Sequence, residues 1–209
     1  ARFKYSKFLN IIDQSQESIT SNITTLQIRR DLRLVTNAFA EYSVGFGNAF
    51  YIKRMNGYNI KSSAFRISGV PYDVYLSDVP DSNAETGTLF LFSVPSVNST
   101  TPSIIRRNVG YINYTKGIVT LNPINIISGK LKDGQAILEI SACPKSNDVI
   151  GLQDLYLQLD ISNSKFEPIV DEISSGLDPA ASNYIVTSSY QSGSLVRGES
   201  TSTSTTTAY

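Results

Sequence analysis

The chain has 209 residues, 18 basic and 18 acidic side chains and no histidine, so no net field draws it toward nucleic acid, an anionic membrane or an acidic polymer. Hydrophobic residues make up 41%, with 12 Tyr and 9 Phe, against 17% charged residues. That balance excludes a disordered polymer and leaves one large β domain or two small ones, each able to bury a core.

The missing histidine excludes, within this chain, Ser-His-Asp and Cys-His nucleophile systems and the common His-containing zinc sites. The single cysteine, Cys143, has no internal disulfide partner, and at the end of the run Ala136–Ala142 it reads as a small buried apolar group. No apolar run reaches the ~18 residues of a membrane span. The start, Ala1-Arg2-Phe3-Lys4, has neither an initiator Met nor a signal-peptide pattern, which suggests a processed product or a piece of a longer protein.

In chain order, Tyr5, Phe8, Leu9 and Ile12 recur at i, i+3, i+4 and i+7, the spacing of one helix face. From Thr24 the period becomes two. Leu26, Ile28, Leu32 and Leu34 share a face that Arg30 interrupts, and Gln27, Asp31 and Arg33 point the other way, as in a half-buried strand.

Short apolar or alternating runs follow at 42–46, 50–52, 65–67 and 70–76, cut by turn residues at 55–59 and 80–83. This spacing predicts antiparallel β structure. Leu89-Phe90-Leu91-Phe92 is apolar on both faces, as a strand covered on two sides should be, and Asn98–Pro102 reads as a loop. Residues 110–114 and 118–121 form the clearest hairpin, joined by Thr115-Lys116-Gly117 with glycine at the left-handed position.

Asp133-Gly134 opens a strand through Ala142, and Pro144–Asn147 ends it. Leu155, Leu157, Leu159 and Ile161 alternate with Tyr156, Gln158 and Asp160, which predicts a further strand. Beyond Ser162 the chain loosens into Pro, Gly and Ser punctuation, and residues 200–207 are all Ser or Thr, the composition of an extended arm.

Two carboxylates across a cleft could run glycoside hydrolysis, and Asp73, Asp78, Asp81 and Glu85 are the candidates. Their surroundings, rich in Pro, Ser and Asn, instead predict loop acids that solvate and cap. Calcium at Asp78 and Asp81 lacks the EF-hand spacing. No phosphate-cradling G-x-x-x-x-G-K-[ST] is present, and Gly45-Phe46-Gly47 lacks the third glycine of a dinucleotide fingerprint. Arg29-Arg30 and Arg106-Arg107, near aromatic or acidic residues, read as solvated or salt-bridged positions. Asn22, Asn98 and Asn113 begin glycosylation-like triplets of the kind chance supplies in an Asn/Ser/Thr-rich chain. Tyrosines, including Tyr111, Tyr114, Tyr156, Tyr184 and Tyr190, suit interfaces as well as half-buried strands.

The order of several segments carries a resemblance. Phe3–Phe8, Ile12-Asp13, Ser18–Asn22 and the run from Thr24 to Leu34 are followed by Tyr42–Phe46, Ala64–Gly69, Gly87–Phe92 and Val109–Tyr114. Together, to about Ser162, they resemble the C-terminal half of the baseplate wedge subunit of contractile-tailed bacteriophages. The resemblance implies a structural virion protein and not an enzyme. It would join neighbouring wedges in the ring around the tail hub and be assembled in the host cytoplasm.

Its partners would be itself, as a homodimer or ring, and other wedge subunits. No nucleic acid, membrane, cofactor, metal or catalytic residue is implied. Two alternatives are a receptor-binding β domain of a tail fibre and a carboxylate-based polysaccharide hydrolase.

The expected architecture is α+β, mainly β, with antiparallel sheets, one N-terminal helix and an extended C-terminal arm. Residues 1–36 are read as the end of a preceding α/β domain, 37–162 as the β domain, and 163–209 as the arm. Candidate interface residues are Tyr156, Ile169, Val170, Ile173, Tyr184, Ile185 and Tyr190, whose apolar surface is costly to leave in water. Exposed strand edges and the arm are expected to pair with partner chains.

Overall fold

The computed structural model describes residues 2–94, 101–151 and 157–169, and the backbone of 190–191 and 194–195. Among these residues the chain is mainly antiparallel β with a single α-helix near its N-terminus, the class expected. It divides into two compact units, Ala1–Leu159 and Asp160–Tyr209.

A short strand, β1 (Arg2–Phe3), runs into helix α1 (Tyr5–Asp13). Tyr5, Phe8, Leu9 and Ile12 are its half-buried positions and the other helical residues are exposed, as the 3.6-residue period requires. No side chain of the preceding residue caps the helix. Instead the Asp148 carboxylate accepts from the Tyr5 amide at 3.0 Å and satisfies one of the orphan N–H groups of the first turn.

The strands that follow are β2 (Ile28–Arg33), β3 (Phe39–Gly45), β4 (Ile60–Ser62), β5 (Arg66–Ile67), β6 (Tyr75–Pro80) and β7 (Thr86–Ser93). Then come β8 (Ser103–Asn113), β9 (Ile118–Ser128), β10 (Lys130–Lys132), β11 (Gln135–Ala142) and β12 (Val149–Ile150). A six-stranded sheet has the order β3-β9-β8-β7-β6, with β5 also on β9, and a four-stranded sheet has the order β10-β11-β2, with β4 also on β11. β1 pairs with β12.

One hydrophobic core takes side chains from both sheets. Leu34, Leu138, Ile140 and Ala142 come from the four-stranded side, and Leu76, Leu89, Leu91, Ile112, Val119 and Leu121 from the six-stranded side. Each buried Leu or Ile contributes roughly 1.5–3 kcal/mol. Leu89, Phe90 and Leu91 are all buried, so β7 is covered on both faces as its continuous apolar run implied.

Several local expectations change for identifiable reasons. The strand expected from Thr24 begins at Ile28, because its partner β11 ends at Ala142, opposite Ile28. The domain boundary expected after residue 36 falls between two strands of the first unit, and β2 is hydrogen-bonded to β11 along its whole length. Phe50 forms only an isolated bridge to Pro144, since proline offers no donor to extend a ladder. In the run 70–76 the ladder starts only at Tyr75, with Val74 held by a bridge to Phe65.

The hairpin between β8 and β9 has four connecting residues, Tyr114–Gly117, rather than three, with Asn113 opposite Ile118. Asp133 and Gly134, both at positive φ, form the two-residue turn between β10 and β11, with Lys132 opposite Gln135. Two successive left-handed residues are what a type I′ hairpin demands.

The expected strand through Leu157, Leu159 and Ile161 is corrected. Residues 157–160 have no regular structure, and Ile161–Asn163 form a 3-10 turn with Asp160 accepting from the Asn163 amide. No described strand lies alongside to pair with them, and all three apolar side chains are exposed. Leu155 lies outside the described residues. In the second unit, β13 (Tyr190–Gln191) and β14 (Ser194–Leu195) pair with each other.

Candidate functional site

The most organised polar group in the first unit is Asp78. Sequence placed it among loop acids, but it sits in β6 and is 0% exposed. Its Oδ1 accepts from the backbone amides of Asn59 and Ile60, each at 2.7 Å. Its Oδ2 accepts from Asn59 Nδ2 at 2.9 Å and from the Tyr114 hydroxyl.

Four donors around one buried carboxylate offset its desolvation. Asn59 is itself fixed, since its Oδ1 accepts from the Lys53 and Arg54 amides at 2.9 and 2.8 Å. Burial, followed by the neighbouring Asp78 charge, pushes the Tyr114 hydroxyl far above the ordinary tyrosine range. The cluster therefore ties loop 53–60, strand β6 and the β8–β9 turn into one block.

The other three carboxylates do not join it. Asp73 pairs with Arg66 at 2.7 Å, and Asp81 accepts from the Thr86 hydroxyl at 2.6 Å in the β6–β7 turn. Glu85 is exposed, and its carbonyl accepts from the Tyr114 amide. Asp81 lines a shallow cavity of about 200 Å³ with Val79, Thr88, Phe90, Arg107 and Asn108. Asp73 lines a different one. Neither cavity is lined by more than one of these acids.

Cys143 is half-buried just past the end of β11, less enclosed than its sequence position implied. Among the described residues no group of three or more Cys, Asp or Glu side chains stands close enough together to hold a metal ion. No described helix is long and apolar enough to cross a membrane.

The outer edge of β6 is closed by segment 58–65. The Leu76 amide donates to Ser62 Oγ at 2.8 Å, the Asp78 carbonyl accepts from the Tyr58 amide at 2.9 Å, and Ser77 Oγ donates to the Ile60 carbonyl at 2.9 Å. Unpaired ladder groups invite edge-to-edge association, and here they are satisfied within the chain. Above the same strands Tyr58 meets Phe90 and Phe92 edge-on at 5.2 and 5.4 Å, and Tyr75 stacks on Phe92 at 5.6 Å.

Arg30, which broke the apolar face of β2 in the sequence, donates to the Gly45 carbonyl at the end of β3. It thus joins the two sheets. Arg29 lies between Asp31 at 3.3 Å and Glu139 at 3.7 Å, as its salt-bridged reading implied, whereas Arg106 and Arg107 are exposed.

Of the candidate interface residues, Ile169 is 84% exposed. Tyr190 lies in the β13–β14 ladder. Tyr156, Val170, Ile173, Tyr184 and Ile185 lie outside the described residues. Sequence reading missed Leu131 and Phe39, large apolar residues left 73% and 75% exposed. The register sets Phe39 opposite Asn125, off the core face, and Leu131 opposite Ala136 at the end of the core-facing row, where it is left uncovered.

No family model, no curated protein and no solved structure matches this chain.

Proposed function

We propose that the chain is a structural part of a contractile phage tail, a baseplate wedge subunit that works by contact with neighbouring copies and with other wedge subunits. The observation that carries this reading is the contrast between its polar and apolar groups. Among the described residues the one deeply buried carboxylate, Asp78, is consumed by internal donors, while Phe39, Leu131, Ile161, Phe166 and Ile169 stand in solvent.

Covering such side chains with a neighbouring subunit removes apolar surface from water, which supports a role in contact. The segment order that resembles the wedge subunit supplies the identity of the assembly. In this reading the chain performs no catalysis and binds no cofactor, nucleic acid or membrane.

The test is location. Antibody raised against the chain, viewed by negative-stain electron microscopy on purified particles, is expected to label the distal plate of a contractile tail. Label on fibre tips would replace this reading with a receptor-binding one, and absence of label from the particles would overturn both.

A further inference from the structure

In a chain whose charges balance overall, the solvent face of the four-stranded sheet is uneven. The register puts Lys61, Ser141 and Arg29 in one row, Asp31 and Glu139 in the next, then Arg33, Ile137 and Lys130, then Gln135 and Lys132. Directly opposed residues share a face, so five cations stand there against two carboxylates.

Both carboxylates are already engaged. Lys130 reaches Glu139 at 2.8 Å, Lys132 reaches Asp31 at 2.5 Å, and Arg29 bridges the two. Arg33 and Lys61 are exposed and make no ion pair among the described residues. Ile137 lies between Arg33 and Lys130 and is only 4% exposed, so long side chains roof the sheet and lift their charged ends into water. The β2–β11 register has no bulge from 28 to 33, which leaves the face regular. Val35, exposed two residues past Arg33 with Leu34 buried between them, lies at its end.

The sequence carries the complement. Between 154 and 178 there are six carboxylates, at Asp154, Asp160, Glu167, Asp171, Glu172 and Asp178, against the single Lys165, whose ammonium is taken by Glu167 at 2.8 Å. The described part of that stretch also exposes Leu159, Ile161, Phe166 and Ile169.

We propose that the basic face around Arg33, Lys61, Lys130 and Lys132 is a docking surface for the acidic, apolar-laced segment 160–178 of a second copy of this chain. The choice of a second copy rests on the assembly reading above. A phosphate backbone fits less well, because Asp31 and Glu139 stand in the middle of the face. Separate carboxylates on an extended chain can seat beside individual cations, while Val35 offers apolar contact at the rim.

The experiment uses three full-length chains and sedimentation velocity over a concentration series. Arg33→Glu with Lys61→Glu reverses the face without touching the existing ion pairs. Glu167→Lys with Asp171→Lys and Glu172→Lys reverses the segment. The unaltered chain is expected to self-associate, less so as salt rises, and each reversed chain alone to lose at least about tenfold in association constant, near 1.4 kcal/mol.

An equimolar mixture of the two reversed chains is expected to recover association. A monomeric unaltered chain, unchanged association of either reversed chain, or no recovery on mixing would overturn the proposal. Should the face reversal disturb folding by circular dichroism, Arg33→Gln with Lys61→Gln gives the same test by neutralisation. Baseplate labelling with a monomeric chain would refute this docking and leave the assembly reading standing. Self-association without baseplate labelling would do the opposite.

Discussion

Replacing Asp78 with Asn keeps the shape of the buried cluster and changes only its hydrogen-bonding capacity. The amide retains one acceptor oxygen, which can still serve the Asn59 and Ile60 amides at 2.7 Å. Its NH₂ then faces two donors, Asn59 Nδ2 and the Tyr114 hydroxyl. The hydroxyl can turn and accept; Asn59 Nδ2 cannot.

One charge-assisted bond is lost, worth about 1.5–3 kcal/mol, and a buried donor is left unmet, at about 1–3 kcal/mol. The expected loss is therefore about 3–5 kcal/mol, or a fall of roughly 6–20 °C in melting temperature for a domain of this size. Urea unfolding followed by far-ultraviolet circular dichroism measures it. Tyr114→Phe alone should cost about 2 kcal/mol, and the cycle with Asp78→Asn should show coupling of about 1–3 kcal/mol. A loss below about 1 kcal/mol for Asp78→Asn, or a cycle with no coupling, would refute the claim that this carboxylate holds the three segments together.

Other consequences are open to measurement. The Tyr114 hydroxyl is raised above its ordinary value of about 10, so its contribution is fully present below pH 10 and is lost as pH climbs above it. Stability should fall by about 1.4 kcal/mol per pH unit more steeply in the unaltered chain than in Tyr114→Phe; parallel alkaline denaturation profiles would contradict this. A Cβ at Gly110 would lie 2.1 Å from the Thr120 carbonyl, so Gly110→Ala should cost at least about 3 kcal/mol or prevent folding, as read by soluble yield and thermal melting. At Gly134, positive φ with nothing within 4 Å, Asn should be tolerated within about 1 kcal/mol in the same melt. Arg30→Met removes the bond to Gly45 and should lower stability by about 1–2 kcal/mol, checked by urea midpoint with unchanged slope.

What could be read beforehand divides by physical range. Helix α1, the covered run Leu89–Phe92 and the β8–β9 hairpin rest on local periodicity and turn chemistry, and residues a few positions apart encode both. Arg30 looked like a fault in the pattern of β2, because its partner, the Gly45 carbonyl, lies on another strand. Asp78 looked like a loop acid, because its donors come from residues 59, 60 and 114. The alternation at 157–161 resembled a strand, yet a strand is completed by a neighbour that periodicity does not supply. The basic sheet face was invisible for a similar reason, since Lys61, Arg33 and Lys130 meet only through the register of β11.

Strand β9 is a mechanical link between the two sheets. It carries β3 along one side and β8 then β5 along the other, and after Gly129 the chain continues directly into β10 of the second sheet. A single length of backbone from Ile118 to Lys132 thus runs through both sheets. A pull along that line loads many ladder bonds at once in shear, instead of peeling them one after another. The unit should behave as a stiff tie bar, able to pass displacement along that line with little stretch of its own.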